Sequence, residues 1–184
     1  MKRRLFLTGP MGCGKSTAIA NALGEKITRC GGFLTRRYRE PRLHFTLESP
    51  DGQFSETFLD FPEGKPRVNM DVFSRLGVSF LRGNILVLDE IGGIELLCPE
   101  FAVALDHVLQ TEIPVIGVMK GESPAGALMD TLGLSEAYVN AADYLRNWLQ
   151  NDENTLLYEC RQFDKQALHL AEQWVKEYAH ESLF

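Results

Sequence analysis

A chain of 184 residues suits one domain and is long enough to bury roughly two-thirds of its unfolded surface in a single core. With 45% hydrophobic and 24% charged residues it is neither disordered nor membrane-embedded by composition, and its longest aliphatic run, Ile85 to Leu88, is too short to span a bilayer. A net charge of -6 removes any bulk electrostatic footprint for nucleic acid.

The start, Met1-Lys2-Arg3-Arg4-Leu5-Phe6-Leu7, has the basic head of a signal peptide but almost no apolar stretch behind it, so the expected compartment is the cytoplasm. Four cysteines, at 13, 30, 98 and 160, show no C-x-x-C spacing and indicate neither a zinc site nor a redox motif. Leu5-Phe6-Leu7-Thr8 reads as a short buried strand. Directly after it, Gly9-Pro10-Met11-Gly12-Cys13-Gly14-Lys15-Ser16 fits G-x-x-x-x-G-K-[ST] at every fixed position. Glycines there let the backbone curl so that successive N–H groups point inward at a helix N-terminus and form a nest for phosphate. Lys15 is then placed to reach the β- and γ-phosphates, and Ser16 to put its hydroxyl on Mg²⁺. The nucleotide-binding set is Gly9, Pro10, Met11, Gly12, Cys13, Gly14, Lys15, Ser16 and Thr17. Their order, G-x-x-G-x-G followed by Lys-Ser, departs from the dinucleotide fingerprint. Ala18, Ile19, Ala22 and Leu23 give the next segment an apolar face at helical spacing, with Gly24 as its stop.

Lys26 to Cys30, then Gly31-Gly32, then Phe33-Leu34-Thr35 predict strand, glycine turn, strand, followed by the basic residues Arg36, Arg37 and Arg39. Leu43–Leu47 and Phe54–Phe58 alternate apolar with polar around the turn signal Ser49-Pro50-Asp51-Gly52, the pattern of an antiparallel hairpin. Asp71 reads as the N-cap of a helix in which Phe73, Leu76 and Phe80 share a face and which stops near Gly83. Ile85-Leu86-Val87-Leu88-Asp89-Glu90 is four aliphatics ending in two carboxylates, as in a buried parallel strand whose carboxyl end meets a ligand. Asp89 is the expected metal-holding acid, with Ser16, and Glu90 the expected group that orients or deprotonates the nucleophile. Adjacent on a strand, the two side chains leave on opposite faces.

Pro99 begins a helix lined by Phe101, Leu105, Val108 and Leu109, with His107 off that face. Ile113–Met119 reads as another buried strand ending at Lys120, for which two readings stay open: a cation that senses the γ-phosphate, or a solvated lysine. Ser135 to Gln150 carries Tyr138, Ala141, Leu145, Trp148 and Leu149 on one helical face; Thr155–Cys160 follows as a strand, and Ala167, Leu170, Ala171, Trp174 and Tyr178 stripe a closing helix. This alternation predicts an α/β fold of one domain: a P-loop three-layer sandwich with a mostly parallel sheet and an antiparallel hairpin insert, its ligand lying across the carboxyl ends of the strands.

Four stretches together resemble one family, the small single-domain P-loop nucleoside-triphosphatases of thermophiles and vertebrates, some of which are labelled nucleotide kinases. They are Gly9 to Ser16, Gly32-Phe33-Leu34-Thr35 with Arg39-Glu40, Asp89-Glu90-Ile91-Gly92-Gly93-Ile94-Glu95-Leu96 with Phe101, and Pro114 to Val118. The resemblance implies slow, unselective, Mg²⁺-dependent hydrolysis of nucleoside triphosphates, ATP and GTP among them, to diphosphate and phosphate. Two departures stand out. The family commonly has acidic residues where Arg36 and Arg37 stand, and the helix from Ser135 to Gln150 resembles an insertion. In such folds base contacts come from the loop after the last strand, here Arg161, Gln162 and Phe163. Arg39 alone of the three arginines matches the family pattern and is the expected catalytic arginine, beside Lys15 and Glu90. Two other readings compete with hydrolysis: a kinase that transfers the γ-phosphoryl group to a nucleotide or small-molecule acceptor, and a nucleotide-dependent switch read by a protein partner. No feature of the sequence names such a partner.

Overall fold

The structure, a computed structural model, describes residues 1–162 and 164–179, with Ser123 and Pro124 described by their backbone alone. Strand β1 (Arg4–Thr8) runs through the P-loop into helix α1 (Lys15–Leu23). Strand β2 (Gly31–Tyr38) then leads to β3 (His44–Glu48), β4 (Ser55–Asp60) and the two-residue β5 (Arg67–Val68). A widened helical turn over Phe73–Gly77 continues into α2 (Val78–Phe80) and returns the chain to β6 (Leu86–Ile91). After a tight turn at Ile94–Leu97 come α3 (Pro99–Leu109), β7 (Val115–Met119), α4 (Glu122–Leu132), α5 (Glu136–Asn151), β8 (Thr155–Glu159) and α6 (Lys165–Tyr178).

Among the described residues the strands form one sheet in the order β5-β4-β3-β2-β6-β7-β1-β8. The run from β2 to β8 is parallel, and β3, β4 and β5 extend it as an antiparallel wing, in keeping with the expected α/β sheet and its hairpin insert. Alternation along the buried parallel strands sends Leu5, Leu7, Val87, Ile116 and Val118 toward α1 and α6. Phe6, Leu86, Leu88, Val115 and Met119 face the opposite way, into a second core with α3 and α5. Helices on both faces of a sheet whose central strands are wholly buried leave the carboxyl strand ends as the place for polar residues. The P-loop, Asp89 and Lys120 all lie there.

One expectation is corrected. Lys26–Cys30 is not a strand but part of a helical turn, Gly24–Arg29, and Gly31-Gly32 is not a turn but the beginning of β2. Gly32 has φ +96°, and a Cβ there would collide with the Val87 carbonyl of β6. The glycine pair therefore permits β2 to close on the strand that carries Asp89. Helix α4 is an element that local reading passes over, because Pro124, Gly126 and Gly133 mask the helical spacing of Ala125, Leu128, Met129 and Leu132, which pack on the α3/α5 core.

Candidate active site

The P-loop links the end of a fully buried strand to a helix with neither a side-chain cap nor an acidic residue in its first turn. Its first N–H groups and the positive end of the helix dipole are therefore left for an external anion. Gly9, Gly12 and Gly14 all take positive φ, of 127°, 77° and 97°, which only glycine adopts without strain. Lys15 is buried, and its Nζ folds back to donate to the carbonyls of Gly9 (3.0 Å) and Pro10 (2.8 Å), with the Cys13 Sγ at 3.6 Å.

Next to it, Ser16 Oγ donates to Asp89 Oδ1 at 2.9 Å, so two residues 73 positions apart in sequence meet at the start of α1. Asp89 is only 4% exposed. Burial pushes its carboxyl up to about 6; the Ser16 hydrogen bond opposes this, the neighbouring Glu90 charge adds to it, and Arg36 and Lys15 lower it. The nearest guanidinium contact, Arg36 Nη1, is 4.0 Å away, beyond hydrogen-bond range. Asp89 is thus a buried carboxylate whose charge is only partly compensated.

Glu90 follows in a bulge of β6 against β7, where register shifts between Asp89 and Ile91. Its Oε2 accepts from Lys120 Nζ at 2.5 Å, and its N–H lies 3.4 Å from the Thr35 hydroxyl. Lys120 is held in turn through its carbonyl, which accepts from Arg146 Nη2 at 2.7 Å. Beneath this pair, Glu95 is buried and its Oε1 accepts from the N–H groups of Gly92 (2.6 Å) and Gly93 (2.8 Å); burial raises its carboxyl, while those bonds and the charge of Lys120 lower it. Tyr138 OH donates to the Gly92 carbonyl at 2.9 Å, fixing the same turn from α5.

Met11, Gly12, Gly14, Lys15, Ser16 and Thr17 line one cleft of about 340 Å³ with Thr35, Arg37, Asp89, Glu90 and Lys120. Gly9 and Pro10 border a neighbouring cleft on the α5 side, and Cys13 is buried in the α1/α6 core. Larger hollows, of about 660 Å³ beside the antiparallel wing and about 700 Å³ beside Gly9, are not lined by Lys15, Ser16, Asp89 or Glu90. Asp89 and Glu90 line this same cleft at different points, Asp89 beside Ser16 and Glu90 beside Lys120. Of the three arginines, Arg37 lines the cleft and Arg36 approaches Asp89, whereas Arg39 is exposed beyond the end of β2. His107 is exposed on α3. In the loop after β8, Arg161 and Gln162 are exposed, and Phe163 lies outside the described residues.

Thr35 and Glu95 stand in the stretches that carry the family resemblance but are given no role by the sequence alone. Alternation of Phe33, Thr35 and Arg37 along β2 was a signal for the first, and a lone acid inside the apolar run Ile94-Glu95-Leu96-Leu97 was one for the second.

The chain is similar to known proteins. Nucleoside-triphosphatase THEP1 of Thermotoga petrophila is 34% identical over 132 residues, covering 65% of this chain and 73% of that protein. A cancer-related nucleoside-triphosphatase homolog of Mus musculus is 33% identical over 145 residues, covering 65% and 76%. The crystal structure of THEP1 from the hyperthermophile Aquifex aeolicus superposes with a TM-score of 0.68 over 96% of this chain and 99% of that one, at 15% identity, a likeness of fold. Residues 4–140 match the model of the NTPase family, and the chain belongs to that family.

Proposed function

We propose that this protein hydrolyses nucleoside triphosphates, ATP and GTP among them, to the diphosphate and phosphate, with Mg²⁺ as cofactor. The observation that carries the reading is the 2.9 Å contact between Ser16 Oγ and Asp89 Oδ1 at the uncapped start of α1. The donor set fits the metal: a hydroxyl and a carboxylate are hard oxygen ligands, and Asp89 is buried with its charge incompletely matched. Ser16 and Asp89 would hold Mg²⁺ with the substrate's phosphates completing its shell, and the ion, when bound, neutralises charge on the β- and γ-phosphoryl oxygens.

The chain's own residues supply the rest. Backbone N–H groups of Gly12, Gly14 and the first turn of α1 bind the phosphate oxygens. Lys15 leaves the Gly9 and Pro10 carbonyls for the triphosphate, trading two neutral acceptors for an anion. Glu90 accepts a proton from the attacking water, and Lys120, paired with it and lining the same cleft, would turn toward the γ-phosphate. Arg37, which lines the cleft, and Arg36, 4.0 Å from Asp89, would stabilise developing charge in preference to Arg39, which lies beyond the end of β2.

Water as the acceptor is supported by the space beside Glu90. The adjoining cavity, lined by Phe33, Phe45, Phe58 and Phe73 with Glu90 and Lys120, holds about 80 Å³. On the measure by which one water needs ~10–15 Å³, that is room for a handful of waters and not for a nucleoside or sugar. All four cysteines are free and buried, and no helix of the described residues is long and apolar enough to cross a membrane; both support the cytoplasm as compartment. The test is phosphate release from each triphosphate with Mg²⁺ and with chelator, then with a panel of nucleosides, nucleotides and sugars. Metal-dependent release unaffected by the panel is expected; transfer to any acceptor would replace this reading with the kinase.

A further inference from the structure

We infer that the cleft on the α5 side of the P-loop is a second binding site, for a small molecule bearing a phosphate group. It measures about 700 Å³, within the usual range of ligand sites, and lies between Gly9-Pro10, the start of α4 at Gly121-Glu122, and Arg146 of α5.

Three features converge on it. Along β1, Leu5 and Leu7 face the α1/α6 core and Phe6 the α3/α5 core, so Thr8, on the Phe6 side, lines the cleft. Thr8 is 7% exposed, and its hydroxyl is a buried side-chain polar atom without a hydrogen-bond partner among the described residues. A hydroxyl left so costs stability, which calls for an explanation such as a bound group that supplies the missing bond. Arg146 has a side chain only 12% exposed; its Nη2 is fixed by the neutral Lys120 carbonyl, and its Nε stands 3.9 Å from the Glu122 carboxylate, too far for a hydrogen bond. The guanidinium is therefore oriented without being closely neutralised. Helix α4, of 11 residues, begins at Glu122 after Gly121, which as glycine has no side chain to cap it; because Pro124 carries no N–H, the N–H groups of Glu122 and Ser123 are the ones left to an external acceptor. The carboxylates at the rim, Glu122 and Glu159, are exposed and can turn to solvent.

A hydroxyl, a guanidinium and a helix N-terminus are all donors. Only a ligand rich in acceptor oxygens and negatively charged satisfies the three together, and a phosphate group is of that kind. The cleft is too roomy for phosphate alone, which calls for an organic body attached to it.

The experiment titrates inorganic phosphate and, separately, AMP into protein whose P-loop is already saturated with ADP and Mg²⁺, followed by calorimetry. Saturable binding is expected for both, tighter for AMP, weakened about tenfold or more in Arg146→Gln and measurably in Thr8→Val. Thr8→Val, which keeps the shape and removes the hydroxyl, is also expected to raise the melting temperature of ligand-free protein. Absence of binding to the ADP-loaded protein, or equal binding by wild type and both variants, would overturn the site. So would a Thr8→Val protein that melts earlier than wild type, because the hydroxyl would then have a structural bond to lose.

Discussion

Two aspartates of the same sheet, one on a strand next to its edge and one on a central strand, are buried to nearly the same degree and settle their charge in opposite ways. Asp60, on β4 in the antiparallel wing, is 5% exposed and receives Arg67 through Nε (3.0 Å) and Nη2 (2.8 Å) and Arg42 through Nη2 (2.8 Å). Those bonds, that from Arg67 foremost, hold its carboxyl below the usual carboxylate range. Asp89, at the carboxyl end of β6, is 4% exposed and has one hydroxyl at 2.9 Å and a guanidinium at 4.0 Å, and its carboxyl is pushed up to about 6. A carboxylate that serves the fold is paired by the fold. One that serves a ligand is left with a deficit that a cation can fill.

The contrast breaks first at Asp89. Asparagine there keeps the shape and still offers an oxygen to Ser16, while removing a buried charge that is incompletely matched. Asp89→Asn is expected to leave the free protein as stable as wild type or more so, yet to lower Mg²⁺-dependent turnover by about 10³-fold or more, several kcal/mol of metal-borne charge stabilisation. Melting curves and phosphate release on the same preparation check both halves. A variant that is both destabilised and active would make Asp89 a second Asp60.

Glu90→Gln comes next. It preserves the side-chain shape beside Lys120 and removes the base, so a loss on the order of 10²–10⁴ in single-turnover hydrolysis is expected, with Mg²⁺ and triphosphate still bound. Full single-turnover hydrolysis would leave Glu90 with no part in activating water. A smaller effect separates the arginines. If Arg37 and Arg36 bond the γ-phosphate, replacing either with Ala costs about 10- to 10²-fold in kcat, the worth of a charge-assisted hydrogen bond, whereas Arg39→Ala turns over like wild type. The reverse order would return the role to Arg39.

What could be read in the sequence tracks how local each constraint is. The P-loop declares itself because every residue its motif requires, the glycines, Lys15 and Ser16, falls within eight consecutive positions. The β6 run ending in Asp89-Glu90 is legible for the same reason: burial and the ligand act on neighbouring positions. Gly31-Gly32 misleads because a glycine pair ordinarily marks a turn, and here the demand comes from the Val87 carbonyl of another strand. Motif position says nothing of an arginine's reach. Strand β2 ends at Tyr38, so Arg39 leaves the sheet while Arg37 stays at the cleft. The pairing of Lys120 with Glu90 and the capping of Gly92 and Gly93 by Glu95 appear only when the turn after β6 meets the end of β7.

The last and smallest effect belongs to the wing. Asp60→Asn leaves two guanidinium groups without their anion, but the side chains of Arg42 and Arg67 are 55% and 67% exposed and can return to water. A small loss of stability with unchanged phosphate release is expected, since Asp60, Arg42 and Arg67 do not line the P-loop cleft. Its pH dependence has a definite sign. Because Asp60 titrates lower folded than unfolded, its contribution is fully present above the ordinary aspartate value of about 4 and disappears as the pH falls below that, through its depressed folded value. Wild type should therefore melt above Asp60→Asn at pH 7, and the two curves should converge as the pH is taken below 4. A gap that persists undiminished in acid would mean that Asp60 acts through packing and not through charge, and the opposition between the two aspartates would reduce to their surroundings alone.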